Sequence, residues 1–168
     1  DIPRFVTDAI FQAAHSHLPF VRAAHTTPSD LPRIDARSET FLLGHVANRA
    51  SRGQGRAFLG TCVRAFDHPD FAAWDAAVRR AELRGHLAPL QGAIARTLGL
   101  SLEEALTMAL HGVARGLLGG FRGVFSITSL ADVQLEALGL EQRALRRFPL
   151  ALTPLQRRRV LERVWELE

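Results

Sequence analysis

The sequence contains little cysteine, no lysine and no long apolar run. A single cysteine, Cys62, excludes an internal disulfide and a metal cluster built from thiolates. No apolar stretch approaches the roughly 18 residues that a membrane-spanning helix requires, and residues 1–20 lack the basic start and continuous apolar core of a signal peptide. We therefore expect a cytoplasmic protein without membrane contacts.

All 21 residues counted as lysine or arginine are arginines, yet the formal net charge is only +4. A nucleic-acid-binding protein usually gathers its basic residues into a stripe. Here the arginines are scattered from Arg4 to Arg163 among acidic residues, which we expect to lie mostly on exposed faces. A helical nucleic-acid-binding regulatory module is the alternative to a protein-binding scaffold, and a steep loss of affinity with added salt would distinguish it.

Helical periodicity is the dominant pattern in the chain. The 168 residues, 47% of them apolar, suffice for one domain with a buried core. We predict the all-α class: a single domain, 1–168, folded as a bundle of about seven to nine helices. The predicted helical segments begin with 3–16 and with 34–51, which continues after a kink near Gly53 and Gly55 through Phe66. Further segments are 69–84, 87–98, 101–117, a stretch with Leu130, Val133 and Leu138 that Gly139 ends, and a last helix that begins at Thr153.

Two boundaries rest on specific local chemistry. Gly99 supplies the left-handed residue that ends a helix, and Ser101 with Glu104 forms a capping box that starts the next one. Further on, Gly119, Gly120 and Gly123 interrupt the helical pattern. Val124, Phe125 and Ile127 then form a short apolar run that fits either a strand or a loop, and the sequence leaves this region open.

No constellation of residues indicates catalysis or a resident metal. The seven histidines lack the paired helical spacing of metal ligands, and we interpret His45 and His111 as hydrogen-bonded core residues. The glycine-containing stretch 51–55 lacks the ending of a phosphate-binding loop. The residues alone thus predict a non-enzymatic helical bundle with arginine-rich surfaces, without a metal site or cofactor.

Four short strings, taken together and in order, resemble the UreF family of urease accessory proteins. They occupy residues 18–25, 48–57, 85–93 and 98–106. The second, N-R-A-S-R-G-Q-G-R-A, is the most specific because it is similar to the family stretch R-A-S-R-x-Q-G-R-A. The third resembles the pattern G-H-x-A-P-x-x-G-A, and the fourth resembles L-G-L-x-x-E-E-A-L.

The resemblance implies an all-helical, dimeric accessory protein that bridges UreD (UreH in some organisms) and the GTPase UreG on the urease apoprotein. Nickel would then be handled by the complex, and GTP hydrolysis would belong to UreG. Arginine suits such interfaces because it binds carboxylates through two parallel hydrogen bonds. The implied partner-binding residues are Arg49, Ser51, Arg52, Gln54, Arg115 and Arg122.

Other motif residues have structural interpretations. Arg49, Arg52 and Gln54 have an alternative role in an intramolecular network between helices. We expect the glycines of the motifs to permit close packing, and His86 to cap its helix rather than handle nickel. The structural motif comprises Gly55, Gly85, His86, Pro89 and Gly92.

The chain also departs from the family pattern. It begins after the family's usual first motif, so we expect a truncated version. Residues 1–118 are family-like, whereas residues 119–168 diverge, with Gly119–Phe125 where the family has a different helix continuation. Arg122 would then take the place of a family arginine in a shifted register.

Overall fold

The computed structural model describes residues 2–125, and the regular elements in this part of the chain are all helices. No strand occurs in this part of the chain, so the predicted all-α class is confirmed there. None of its helices has both the length and the apolarity needed to cross a bilayer. The helical segments predicted at 130–138 and from Thr153 lie outside the described residues, and the helix count of the whole chain stays a prediction. The elements are α1 (Ile2–Ser16), α2 (Leu18–Thr26), a short 3₁₀ helix (Pro28–Asp30), α3 (Leu31–Phe41), α4 (His45–Ala65), α5 (Pro69–Arg79), α6 (Leu87–Thr97) and α7 (Leu102–Phe125).

The chain divides into two compact units. Of the described residues, 2–19 and 106–125 belong to the first unit, and Phe20–Ala105 form the second. In the first unit, α1 buries Ile10 and Ala14, and α7 buries Leu106 and Leu110. This one-sided burial is the amphipathic arrangement that helical spacing predicts.

The second unit is built around α4 and α6. These two helices pack on each other, α5 packs on α4, and α3 packs on α6. The spacing of apolar residues along each helix explains this arrangement because it places them on the inward side. The core residues are Ala24, Leu31, Ile34, Leu59, Cys62, Phe71, Val78, Leu83, Leu90, Ala93 and Ile94.

The predicted helix over 34–51 is wrong, because the chain breaks between α3 and α4. Leu42 caps α3 with φ −82° and ψ 76°, and Gly44 precedes α4 in an extended conformation. The small residues Gly44, Ala47 and Ala50 were expected to receive another helix. Ala47 and Ala50 are exposed instead, and the position of a Cβ on Gly44 has no atom within 4 Å.

The kink predicted near Gly53 and Gly55 is also wrong, since α4 runs unbroken from His45 to Ala65. Glycine costs only about 1 kcal/mol in a helix interior, an amount that tertiary packing readily overcomes. Gly55 is buried beneath the chain that leads into α6, whereas Gly53 is exposed. One of the two glycines thus has a packing role that local propensity does not reveal.

The other helix boundaries agree only in part with those predicted from the sequence. Helix α5 ends at Arg79 rather than near residue 84, because Ala81 turns left-handed with φ 59°. Gly99 is left-handed as predicted, and the capping box is confirmed by hydrogen bonds between Ser101 and Glu104 in both directions. The region left open from residue 119 is helical as far as the described residues extend, because α7 continues through Gly119, Gly120 and Gly123 to Phe125.

Candidate partner-binding site

The R-A-S-R-G-Q-G-R-A segment lies on α4 and shows two different sides. Arg49 and Gln54 are exposed, while Ser51 and Arg52 are half-buried. The inward positions Asn48, Ser51, Arg52 and Gly55 are three and four residues apart, which places them on one helical face, and Arg49 and Gln54 lie on the two flanks of that face. The exposed side is available for a partner, and the buried side joins α4 to the rest of the second unit.

His86 lies at the centre of the buried side. Its ring is completely buried, with Nε2 2.7 Å from Glu39 Oε2 and Nδ1 3.1 Å from Ser51 Oγ. An ionised carboxylate only accepts hydrogen bonds, so Nε2 carries the proton that bonds to Glu39. Ser51 Oγ also accepts a hydrogen bond from the Leu87 N–H at 3.3 Å. These bonds connect α3, α4 and the start of α6, and we call Glu39, Ser51, Arg52 and His86 the His86 cluster.

The cluster continues to Arg52 through the second oxygen of Glu39. Arg52 Nη1 lies 3.7 Å from Glu39 Oε1, and both side chains are about one-third exposed (34% each). Arg52 therefore forms part of the intramolecular network that was one of its two predicted roles. Its neighbour Arg49 makes no ion pair with any described residue.

Asp35 holds the chain segment that leads into α6. Its buried carboxylate accepts hydrogen bonds from the backbone N–H groups of Arg84, Gly85 at 3.1 Å and His86 at 2.9 Å. Sequence reasoning placed acidic residues on exposed faces, and for Asp35 this was wrong. These backbone N–H groups precede α6 and have no carbonyl partner within a helix, so the Asp35 carboxylate supplies their acceptor.

Electrostatics favour the ionised form of Glu39. Burial acts to raise its pKa, but the hydrogen bond from His86 and the positive charge of Arg52 outweigh this effect. The pKa of Glu39 consequently lies below its ordinary value of 4.5. A carboxyl group with a lowered pKa stabilises the folded state only while it is ionised.

Replacing this carboxylate should make stability depend differently on pH. We expect Glu39→Gln to lower the free energy of unfolding at neutral pH. The difference in unfolding free energy between the variant and wild type should have its full size above about pH 4.5, the pKa of Glu39 in the unfolded chain. It should vanish as the pH falls through the lower pKa of Glu39 in the folded state. Urea denaturation across a pH series measures this difference.

Glu82→Gln is the matched control, because Glu82 is paired with Arg80 on the surface. Its contribution should be smaller and should fall with added salt. A Glu39→Gln deficit that stayed constant from pH 7 to below pH 3 would contradict a role for the ionised carboxylate.

Two glycines of the predicted structural motif lie against backbone from another segment. A Cβ on Gly55 would lie 2.2 Å from the Gly85 carbonyl oxygen, and one on Gly92 would lie 2.1 Å from the Val21 carbonyl oxygen. Gly85 itself adopts φ +82°, a conformation that favours glycine. Pro89 is buried in the first turn of α6. The packing of the second unit therefore uses all four residues.

His86 occupies the N-cap position of α6, but its side chain makes no capping hydrogen bond. The hydroxyl of Ser51 bonds to the first N–H of the helix instead. The expectation of core positions for His45 and His111 is wrong, since both are exposed. His25 is buried and hydrogen-bonded, as His86 is, with Nε2 2.8 Å from the Leu100 carbonyl oxygen.

The other two predicted partner-binding arginines belong to the first unit. Arg115 is exposed on α7, and Arg122 lies in the same helix beyond the residues whose side chains are described. The structure therefore groups Arg49, Ser51, Arg52 and Gln54 on one helix and describes Arg115 separately. Among the residues described, no three His, Cys, Asp or Glu side chains are arranged to hold a metal ion.

Sequence reasoning missed the α3 members of this site. Asp35 and Glu39 are four residues apart, and Asp35 lies beside the apolar Ile34 on the inward side of α3. A carboxylate within an apolar helical stripe is a signal of a buried acceptor. Asn48 was also missed, and its Nδ2 donates to the Glu39 and Leu42 carbonyl oxygens at 3.3 and 3.5 Å.

Comparison with known proteins agrees with the motif reading. The UreF family model matches residues 1–120, and a model described as the Lnb N-terminal periplasmic domain matches residues 104–168. A protein of Schizosaccharomyces pombe, described as an uncharacterized urease accessory protein UreF-like, is 27% identical over 123 residues. That alignment covers 67% of this chain and 52% of the relative, so the chain spans about half the length of the curated relative it matches. No solved structure matches the chain. With the family match extending over most of its length, the chain belongs to the UreF family of urease accessory proteins.

Proposed function

We propose that this chain is a non-enzymatic scaffold for assembly of the urease metallocentre. It binds UreD or UreH, recruits the GTPase UreG and brings both to the urease apoprotein, with nickel as the cargo of the complex. Its proposed state is a cytoplasmic homodimer. Membership of the UreF family supports this function.

The observation that carries the proposal is the division of α4 into an anchored side and an open side. Ser51 and Arg52 fix the helix through the His86 cluster, while Arg49 and Gln54 remain exposed. An anchored helix presents its outward side chains with little further loss of conformational entropy when a partner binds. Arginine in such a setting is a frequent binding hot spot.

Arg49→Ala should weaken binding to UreD or UreG by roughly tenfold, equivalent to about 1.4 kcal/mol. The thermal midpoint should not change, because Arg49 makes no ion pair with a described residue. Arg52→Ala should lower both affinity and stability, since it removes the partner of Glu39. Isothermal titration with each purified partner and a thermal melt of each variant measure the two effects.

Arg96→Ala is the matched control, because Arg96 is an exposed arginine at the last turn of α6. It should leave affinity and stability near the wild-type values. Full affinity in both Arg49→Ala and Arg52→Ala would refute the assignment of these side chains to assembly. Tight DNA binding with a steep salt dependence would instead favour the nucleic-acid alternative.

A further inference from the structure

The end of α3, the start of α4 and the connection between them expose three large apolar side chains within six positions. Phe41 is 52% exposed, Val46 is 69% exposed and Leu43 is 93% exposed. We call these three residues the elbow surface. Isolated exposed apolar residues are common, but a cluster in one short connection marks an interaction surface more often than chance.

The elbow surface is held in place by hydrogen bonds and ring packing. Asn48 is buried and its side-chain amide donates to the Glu39 and Leu42 carbonyl oxygens, which fixes the end of α3 against the start of α4. The ring of Phe41 packs edge-on against Phe20, with 5.4 Å between centroids. The apolar side chains are therefore presented outward by an ordered connection.

Three charged side chains lie close in sequence to the elbow surface: Arg37, Arg49 and the ion-paired Glu39. Arg37 lies one turn before Phe41, and Arg49 lies three residues after Val46. Neither arginine forms an ion pair with a described residue. The nearby carboxylate of Glu39 is directed to His86 and Arg52. The apolar side chains are therefore bordered by two arginines, and the nearby Glu39 does not neutralise them because it already pairs with His86 and Arg52.

We propose that the elbow surface binds an amphipathic protein helix whose apolar stripe is bordered by carboxylates. The apolar stripe would cover Leu43 and Val46, and the carboxylates would pair with Arg37 and Arg49. A second copy of this chain fits less well, because the same arginines would meet each other across a symmetric contact. This inference goes beyond the proposed function by naming a surface and the chemistry of its occupant.

Two synthetic helical peptides of about four turns test the proposal directly. Both carry the same leucine stripe, bordered by glutamates in one peptide and by lysines in the other. NMR titration of the full chain should show tighter binding of the acidic peptide by about tenfold or more, decreasing with salt. Leu43→Gln and Arg49→Glu should each weaken that binding by about tenfold.

Leu98→Gln is the matched control for the leucine change. Leu98 is 37% exposed at the end of α6, which is opposite to the end where His86 lies. It should bind the acidic peptide like wild type. Leu43→Gln should fold like wild type, because so little of Leu43 is buried.

Several results would overturn the proposal. The first two are that wild type binds both peptides equally, or that Leu43→Gln binds the acidic peptide as tightly as wild type. The others are that the chain self-associates through Leu43, or that it binds phosphatidylglycerol vesicles and not the acidic peptide. A second arm uses purified UreD and UreG, a choice that rests on the proposed function. If wild type binds neither, the proposed function fails while the peptides still decide the elbow surface. If wild type and Leu43→Gln bind a partner equally, the elbow surface has no part in that assembly and the inference fails.

Discussion

Gly55→Ala is expected to lower the free energy of unfolding by about 3 kcal/mol, a large effect for the addition of one methyl group. The new Cβ would lie 2.2 Å from the Gly85 carbonyl oxygen and 2.8 Å from backbone atoms of His86 and Leu87. All three neighbours are backbone atoms, so no side-chain rotation relieves the clash. The chain leading into α6 must move away from α4, which also strains the bonds of the His86 cluster.

Gly53→Ala provides the matched control on the same helix. The position of a Cβ on Gly53 has no atom within 4 Å, and the residue is exposed. Alanine should therefore stabilise the protein by roughly 0.5–1 kcal/mol through its better helix propensity. Urea denaturation of the two variants gives the comparison, and a Gly55→Ala variant as stable as Gly53→Ala would contradict the close approach of α4 to Gly85.

The same pair of glycines shows how far the sequence predicts the fold. Helices with strong caps were predictable because their signals are local, as with Gly99 and the capping box of Ser101. The break before α4 is not predictable in this way, because the spacing of Gly44 with Ala47 and Ala50 suggests a packing seam within one helix. Gly53 and Gly55 likewise suggest a kink that α4 does not have. Only the contact between Gly55 and Gly85, thirty positions apart in the chain, distinguishes a glycine required for packing from one that is not.

The candidate site was predictable to a similar degree. The family resemblance identified α4 residues and His86, but local spacing did not show that His86 binds Glu39 and Ser51. These partners are 47 and 35 residues away in sequence. The exposure of Leu43 was equally hidden, because an apolar residue between two helices is ordinarily expected to be buried.

The Asp35 carboxylate should be the other major determinant of stability in the second unit. Asp35→Ala would leave the buried N–H groups of Gly85 and His86 without their acceptor, in addition to the N–H of Arg84. An unsatisfied buried donor costs about 1–3 kcal/mol, so the two buried groups together predict a loss of about 3 kcal/mol or more. Asp35→Asn should lose less free energy of unfolding than Asp35→Ala, because its amide oxygen still accepts a hydrogen bond. Some loss remains, since its NH₂ group faces backbone N–H donors and cannot accept from them.

Two measurements separate this effect from a general loss of packing. Urea denaturation gives the loss of free energy, and hydrogen exchange should show reduced protection at the amides of residues 84–86 before the amides of α6 are affected. Asp30→Ala is the control, since Asp30 pairs with the exposed Arg33 and should change stability much less. Normal protection at residues 84–86 in Asp35→Ala would show that the carboxylate is not what holds the start of α6. Loss of protection there, together with weaker partner binding in a variant that still folds, would show that Asp35 positions the His86 cluster and through it the exposed side of α4.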